Sequence, residues 1–186
     1  MALDDILLEA EEKMMKTTEI VQREFSSIRT GRASSALVEN IMVEVYSAQM
    51  SIKQLAGITT PEARLLVIQA FDPSNVQAIE KAIRESKLGI SPLVDGKIIR
   101  LPIPDLSEER RRELTKVIKK MAEDGRVAIR HVRRDALEDA KKIQKSGEIS
   151  EDDLKNTEKE IQKLTDQYTG EIDRLFATKE KDVLTV

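Results

Sequence analysis

The sequence lacks cysteine and tryptophan, and phenylalanine and tyrosine together make up only 3% of its 186 residues. Without cysteine the chain has no disulfide, no thiolate metal ligand and no cysteine nucleophile. With so few aromatic side chains, the packed core must be aliphatic. No apolar run approaches the roughly 20 residues of a membrane span, and the acidic N-terminus matches neither a secretory signal nor a transit peptide. We therefore expect a cytoplasmic protein that does not bind membranes.

The sequence also lacks the constellation of side chains on which an enzyme depends. Its single histidine, His131, has no metal or nucleophile partner that the sequence reveals. No glycine loop for nucleotide phosphates is present, because the glycines are isolated and Gly31 is not followed by lysine and a hydroxyl residue. The acidic cluster Glu151–Asp153 is explained by a helix start, where carboxylates favour the helix dipole. We predict no catalytic residue, no metal site, no cofactor and no enzymatic activity.

Charge is abundant but unevenly distributed, although the formal net charge is only −3. Residues 110–134 contain ten Lys or Arg and three Asp or Glu, a local net charge of +7. Residues 146–186 contain six basic and eleven acidic residues, a local net charge of −5. An acidic protein with one concentrated basic segment can repel nucleic acid in general and still bind it at one place.

The basic segment lies within residues 105–145, whose pattern predicts one long amphipathic helix. Apolar and small residues recur along it at steps of three and four, which indicates a face buried against other helices. Basic residues recur at compatible steps, more than a third of a turn away at about 100° per residue. In the middle of the apolar stripe, Gly125 indicates close helix packing or a slight bend. The stripe comprises Leu114, Ile118, Met121, Gly125, Ala128, Val132, Ala136, Ala140 and Ile143.

Three arginines crowd together on this helix: Arg130, Arg133 and Arg134, with Asp135 as the nearest acid. Like charges at this density destabilise a helix unless an anion offsets them, and the planar guanidinium suits phosphate oxygens. The alternative is a solvated face without a ligand, which is common on helices. The pattern favours RNA or phosphate contact. Because no aromatic residue interleaves the arginines, it favours recognition of RNA backbone and shape over base stacking.

Two further helices are predicted from apolar periodicity. The first covers Leu3 to about Arg29 and ends near Gly31, since glycine readily adopts the left-handed conformation that closes a helix. After a stop at Gly147, another helix begins at Ser150 and continues to about Thr178, and the tail beyond residue 181 is expected to be loose.

Between the first and the long helix, the pattern changes to short strands with one helix. Alternation of apolar and polar residues predicts a half-buried strand, and a continuous apolar run predicts a more buried one. Asp-Pro-Ser at residue 72 predicts a helix start, and prolines put the last strand at an edge or end it. The predicted strands are Ile41–Tyr46, Met50–Leu55, Leu65–Phe71 and Lys97–Ile103, and the predicted helix is Asp72–Lys87.

These elements predict an α+β protein in which three helices bury their apolar stripes against one another. The expected architecture is an elongated three-helix bundle of residues 1–30 and 105–186, with a small α/β domain of residues 31–104 inserted. The chain crosses between domains twice, near Thr30-Gly31 and near Pro104-Asp105. Two short connections with glycine and proline form a two-stranded hinge that limits direction without fixing the angle.

Several motifs, in order along the whole chain, resemble the bacterial ribosome recycling factor family. Ser107 stands where that family often has threonine. Because serine also carries a hydroxyl, the replacement still allows this residue to cap the helix. The motifs are Ser27–Ala33, Ile99–Pro104, Leu106–Arg111, Val132–Ala136 and Ile149–Asp153.

The resemblance implies a three-helix bundle joined by a flexible hinge to a smaller β/α/β domain. It implies binding to the post-termination ribosome, through the bundle on large-subunit ribosomal RNA, after which elongation factor G with GTP separates the subunits. We expect a monomer that does not bind DNA. By motif match Arg133 is the first predicted rRNA contact and Arg29 a hinge residue. The other predicted rRNA contacts are Arg130, Arg134, Arg126, Arg112, Arg111, Lys116 and Lys119.

A rival prediction is a non-enzymatic helical adaptor that binds a partner protein. It requires an exposed apolar groove and binding that depends weakly on salt. Binding to rRNA requires affinity that falls as salt rises, because phosphate contacts release counterions.

Overall fold

The computed structural model describes residues 2–185. The chain forms two compact units, one from the residues up to Phe25 together with Arg112–Leu184, and the other from Ser26–Arg111. The boundaries predicted from the sequence, at residues 30 and 105, both fall inside the second unit. Helices form the first unit and antiparallel strands dominate the second, so the predicted α+β class is confirmed.

The elements follow one another without long gaps. Single 3₁₀ turns at Ser35–Leu37 and Pro73–Asn75 join some of them. In chain order the helices and strands are α1 (Leu3–Ser26), β1 (Met42–Val45), β2 (Ala48–Ser51), α2 (Ile52–Leu55), β3 (Ala56–Glu62), β4 (Leu65–Ala70), α3 (Val76–Glu85), β5 (Leu93–Asp95), β6 (Ile98–Pro102), α4 (Glu108–Lys145) and α5 (Glu151–Leu184).

In the first unit, α1, α4 and α5 pack their apolar stripes together. One cluster joins Ile6 and Ala10 of α1 to Ala136 and Ala140 of α4 and to Ile161 of α5. The alanines leave room for the neighbouring helices to approach α4, while the isoleucines fill the space between them. Each helix therefore contributes to one shared aliphatic core, as the periodicity predicts.

Gly125 lies where all three helices approach one another. A Cβ atom at this position would lie 2.6 Å from Cγ2 of Val21 on α1 and 3.1 Å from Cδ1 of Ile172 on α5. The first distance is far below the roughly 3.5–4.0 Å of a normal carbon–carbon contact. The close helix packing predicted for Gly125 is confirmed.

The second unit contains a β1–β2 hairpin and a four-stranded antiparallel sheet in the order β3-β4-β6-β5. In the centre of this sheet, Leu66 pairs with Leu101 and Ile68 pairs with Ile99. These four side chains are fully buried. Helix α3 contributes to the same core through its own apolar face, so this unit has an aliphatic core of its own.

Two strands of the second unit were not predicted. Strand β3 is exposed from Thr59 to Glu62, and all three residues of the edge strand β5 are exposed. Neither carries the alternation that one buried face produces. The predicted strand Met50–Leu55 is wrong in its second half, where Ile52–Leu55 forms a helical turn. Gln54 accepts hydrogen bonds from the backbone and hydroxyl of Ser51, which caps that turn.

The helix ends also differ from the predictions. Helix α1 ends at Ser26 before the predicted Arg29, α3 ends at Glu85 before Lys87, and α4 begins at Glu108 after Asp105. Helix α5 continues to Leu184, so the expectation of a loose tail beyond residue 181 is wrong. The physical reason is burial, because Val183 is fully buried and holds the last turn of the helix in place.

The predicted hinge residues all lie within the second unit. Arg29 donates a hydrogen bond to the Leu88 carbonyl, and Asp105 forms an ion pair with Arg64. Gly31 has φ +77°, and a Cβ atom there would lie 3.3 Å from Cγ of Leu106. Thr30 is buried and Pro104 is exposed. The contacts anchor both connecting segments to this unit, and the hinge itself stays a prediction.

We expect Gly125→Ala to destabilise the helical unit by about 1–2 kcal/mol. Alanine is intrinsically better than glycine in a helix by about 1 kcal/mol, but overpacking a core costs roughly 1–3 kcal/mol, and here two neighbouring side chains must move. Urea unfolding followed by helical circular dichroism measures the change.

The matched control is Gly170→Ala in the middle of α5, where nothing lies within 4 Å of the added Cβ atom. That substitution is expected to stabilise the protein by about 0.5–1 kcal/mol. Equal stabilisation by both substitutions would contradict the close approach at Gly125.

Candidate nucleic-acid interface

Positive charge lies along one exposed side of α4. The Ser107 hydroxyl caps this helix by accepting a hydrogen bond from the Arg110 amide at 3.2 Å. Acidic residues in the first turn and lysines in the last both favour the helix dipole. Because the helix is unbroken, its period of 3.6 residues brings the predicted cations to the same side. The exposed ones are Arg112, Lys116, Lys119, Arg130 and Arg134.

Arg133 lies at the margin of this side, one turn from the buried Ile129 and Ala136. Its side chain is partly buried, and its Nε atom is buried without a hydrogen-bond partner. Among residues 2–185 no acidic side chain forms an ion pair with it. Because no carboxylate offsets its charge, this guanidinium can bind an anion supplied by a partner through its outer nitrogens.

Two carboxylates engage the neighbouring arginines. Glu123 accepts a hydrogen bond from Arg130 at 2.6 Å and a longer one from Arg126 at 3.4 Å. Arg126 also donates from Nε to Asp173 of α5 at 2.8 Å, with its guanidinium 6.0 Å from the centre of the Phe176 ring. The hydrogen bond from Arg130 is the main cause that holds the pKa of Glu123 below its ordinary value. Arg126 therefore ties α4 to α5, whereas half of the Arg130 side chain remains exposed.

Arg130, Arg133 and Arg134 come together at a depression of about 600 Å³ on the surface of α4. Arg134 also contacts the ring of His131. Three guanidiniums in one concavity concentrate positive potential and supply planar sets of donors for phosphate oxygens. The residues that line the depression are Val127, Arg130, His131, Arg133, Arg134, Leu137, Glu138 and Lys141.

The other predicted rRNA contacts do not line this depression. Arg111 is partly buried and belongs to the second unit. Arg112, Lys116 and Lys119 are exposed on earlier turns of α4. Arg126 is adjacent in sequence to Val127, which lines the depression. Its own guanidinium forms ion pairs with two carboxylates instead, those of Glu123 and Asp173. The structure thus divides the predicted basic face into a concave arginine cluster and a more dispersed row of cations.

Val127, Leu137 and Glu138 were not among the predicted interface residues, and His131, for which no metal or nucleophile partner was predicted, lies in the depression beside Arg134. Val127, Leu137 and Glu138 lie three, seven and eight residues from Arg130, spacings that put residues on one side of a helix. That spacing could have identified them. A prediction based on positive charge alone does not include uncharged or acidic residues of the same helix side.

Three guanidiniums around one depression can bind an anion. Within residues 2–185, no three His, Asp or Glu side chains lie together in a way that could hold a metal ion. In the same part of the chain, no helix combines the length and hydrophobicity that a bilayer-spanning segment requires.

Comparison with known sequences identifies one family. Residues 21–184 match the family described as Ribosome recycling factor. The chain is 50% identical over 182 residues to the ribosome-recycling factor of Halalkalibacterium halodurans, with 98% of each protein covered. It is 51% identical over 180 residues to that of a Synechococcus species, which covers 97% of this chain and 99% of the relative.

Two solved structures have the same fold. The solution structure of a ribosome recycling factor matches with a TM-score of 0.81 and 46% identity, and covers 100% of this chain and 99% of the other. The second presents models for the T. thermophilus ribosome recycling factor and E. coli elongation factor G bound to the E. coli post-termination complex. It matches with a TM-score of 0.72 and 42% identity, over 99% of this chain and 100% of the other. The resemblance that the sequence motifs indicate is confirmed, and this chain belongs to the ribosome recycling factor family.

Proposed function

We propose that this protein binds the post-termination ribosome and, with elongation factor G and GTP hydrolysis by that factor, separates the ribosomal subunits for reuse. Family membership supports this function, as does the solved relative described together with elongation factor G on a post-termination complex. We propose that the protein acts in the cytoplasm as a monomer. It carries out no chemistry and needs no cofactor, because the nucleotide is bound and hydrolysed by its partner.

The arginine cluster on α4 is the observation that carries the RNA-binding part of this proposal. Arg133 has a buried donor without a partner, and Arg130 and Arg134 line the same depression. We propose that these guanidiniums bind phosphates of large-subunit ribosomal RNA. Lys116 and Lys119 then contribute longer-range attraction along the same helix, as exposed cations do.

The second unit is proposed as the mobile part that elongation factor G displaces. Its two connections to the helical unit are short. The hydrogen bond from Arg29 to Leu88 and the ion pair of Arg64 with Asp105 fix both connecting segments to the second unit. A push on the second unit is therefore transmitted to the start of α4, while the bundle stays bound to RNA. Binding and splitting are separable steps in this mechanism.

Arg133→Ala is expected to weaken binding to ribosomes by roughly 10- to 150-fold. The loss corresponds to one charge-assisted hydrogen bond, about 1.5–3 kcal/mol. Arg133→Lys keeps the charge but not the planar fork, so an intermediate loss is expected. Co-sedimentation with purified ribosomes measures the affinity. The matched control is Arg174→Ala, which removes an exposed arginine from α5 and should leave affinity unchanged; unchanged affinity of Arg133→Ala would contradict the proposed contact.

Binding is expected to weaken steeply as salt rises, by about one power of salt concentration for each phosphate contact. A salt series of co-sedimentation measurements gives the slope for the wild type and for Arg133→Ala, which should be less steep by about one. A slope near zero for the wild type would instead favour the adaptor function, in which an apolar surface binds a protein.

Arg126→Ala is expected to act mainly on stability. Arg126 joins α4 to α5 through Asp173, and a double-mutant cycle with Asp173→Asn should give a coupling of about 0.5–1 kcal/mol in urea unfolding. Its effect on ribosome affinity should be smaller than that of Arg133→Ala. A larger loss of affinity, without loss of stability, would show that Arg126 leaves its carboxylates to bind RNA.

A further inference from the structure

One member of the arginine cluster already has an anion bound to it. Arg130 donates a hydrogen bond from Nη2 to Oε1 of Glu123 at 2.6 Å. Arg133 and Arg134 form no ion pair with an acid among residues 2–185. Glu123 lies seven residues before Arg130, about two helical turns, which brings both side chains to the same side of α4. The proposed RNA contact leaves this carboxylate unexplained.

A second arginine holds Glu123 from the side of the helical core. Oε2 of Glu123 lies 3.4 Å from Nη1 of Arg126, and Arg126 in turn pairs with Asp173 of α5 at 2.7 Å. The Arg126 side chain is 23% exposed, whereas those of Glu123 and Arg130 are 54% and 51% exposed. The pair of Glu123 with Arg130 is therefore the more accessible of the two, and an incoming anion can reach it.

A carboxylate and a phosphate compete for the same donors of a guanidinium. Both accept charge-assisted hydrogen bonds from its planar set of N–H groups, and two anions placed close together repel each other. Because the hydrogen bond from Arg130 holds the pKa of Glu123 below its ordinary value, Glu123 is ionised at neutral pH. A phosphate that approaches Arg130 therefore meets a negative charge already bound there.

We propose that Glu123 is an internal counter-anion, which RNA must displace from Arg130, and that it limits the affinity of this surface for RNA. The proposal rests on the proposed function of the arginine cluster. Arg133 binds phosphate without such an exchange, and Arg130 adds its contact where the RNA presents a second phosphate within reach. RNA that supplies only one of these phosphates binds more weakly, so Glu123 acts against non-specific binding.

The same competition affects how the complex dissociates. Because Glu123 remains tied to Arg126, it lies ready to pair with Arg130 again when the phosphate leaves. Affinity differences within one interface arise mainly from dissociation rates. Glu123 is therefore expected to shorten the lifetime of the complex with RNA.

The test is Glu123→Gln compared with Asp124→Asn. Both substitutions remove one negative charge from the middle of α4 and keep a side chain of nearly the same shape. Asp124 is exposed, forms no ion pair within residues 2–185 and lies about 100° further round the helix. Its substitution therefore measures the general effect of charge on RNA binding. Circular dichroism and urea unfolding establish that both variants remain folded.

We expect Glu123→Gln to raise ribosome affinity by roughly 2- to 5-fold, the range of an exposed ion pair, mainly through slower dissociation. Asp124→Asn should change affinity much less, because salt screens a charge directed away from the cluster. The salt dependence of Glu123→Gln should be steeper than that of the wild type by up to about one power of concentration, since Arg130 then releases its own counterion. Binding to an unrelated RNA duplex should strengthen at least as much.

A double-mutant cycle with Arg130→Ala identifies the residue through which Glu123 acts. In the Arg130→Ala background, Glu123→Gln should change affinity no more than Asp124→Asn does, because the contact with which Glu123 competes is absent. Three results would each overturn this role of Glu123. They are equal effects of the two substitutions in the wild type, weaker binding of Glu123→Gln, and a full effect of Glu123→Gln in the Arg130→Ala background.

The effect of Arg133→Ala separates this role from the proposed function. If the competition at Arg130 is overturned while Arg133→Ala still weakens ribosome binding, the phosphate contact and the proposed function stand. If Arg133→Ala also has no effect, the RNA-binding function of this surface fails together with the role of Glu123.

Discussion

The close approach of three helices at Gly125 is the constraint on which the helical unit depends. Val21 and Ile172 lie so near this residue that a Cβ atom fits only if their side chains move. Because α1 and α5 pack against the apolar stripe of α4, the cations on its other side, Arg112, Lys116, Lys119, Arg130 and Arg134, are exposed. The surface proposed to bind RNA is thus the side of α4 that the core does not use.

The basic residues of α4 differ in whether a carboxylate binds them. Carboxylates on α4 and α5 bind Arg126, and Glu123 binds part of Arg130. Lys141 has a distant partner in Glu158, 3.9 Å away on α5. Arg133 has no such partner within residues 2–185. An acidic protein can carry an anion site in this way, because its carboxylates neutralise some of the cations around the site while Arg133 and Arg134 form no ion pair with an acid among residues 2–185.

Much of the fold could be predicted from the sequence because its signals are local. The long helices follow from unbroken periodicity, and the central strand β4 follows from the apolar run that begins at Leu65. The edge strand β5 and the exposed second half of β3 could not be predicted, since strand residues with both faces in water show no alternation. The end of α5 was also missed, because the burial of Val183 depends on packing that no local pattern reveals.

By itself, the sequence determined the helices, the shared apolar stripe, the arginine cluster and the family to which the chain belongs. Only the tertiary structure decided which cations are held by acids, as Arg126 is, and which lie open in a depression with Val127 and Glu138. The physical reason is that helical periodicity specifies which side of a helix a residue faces. The partners that it meets there, such as Asp173 on a distant segment, are specified only when the helices pack.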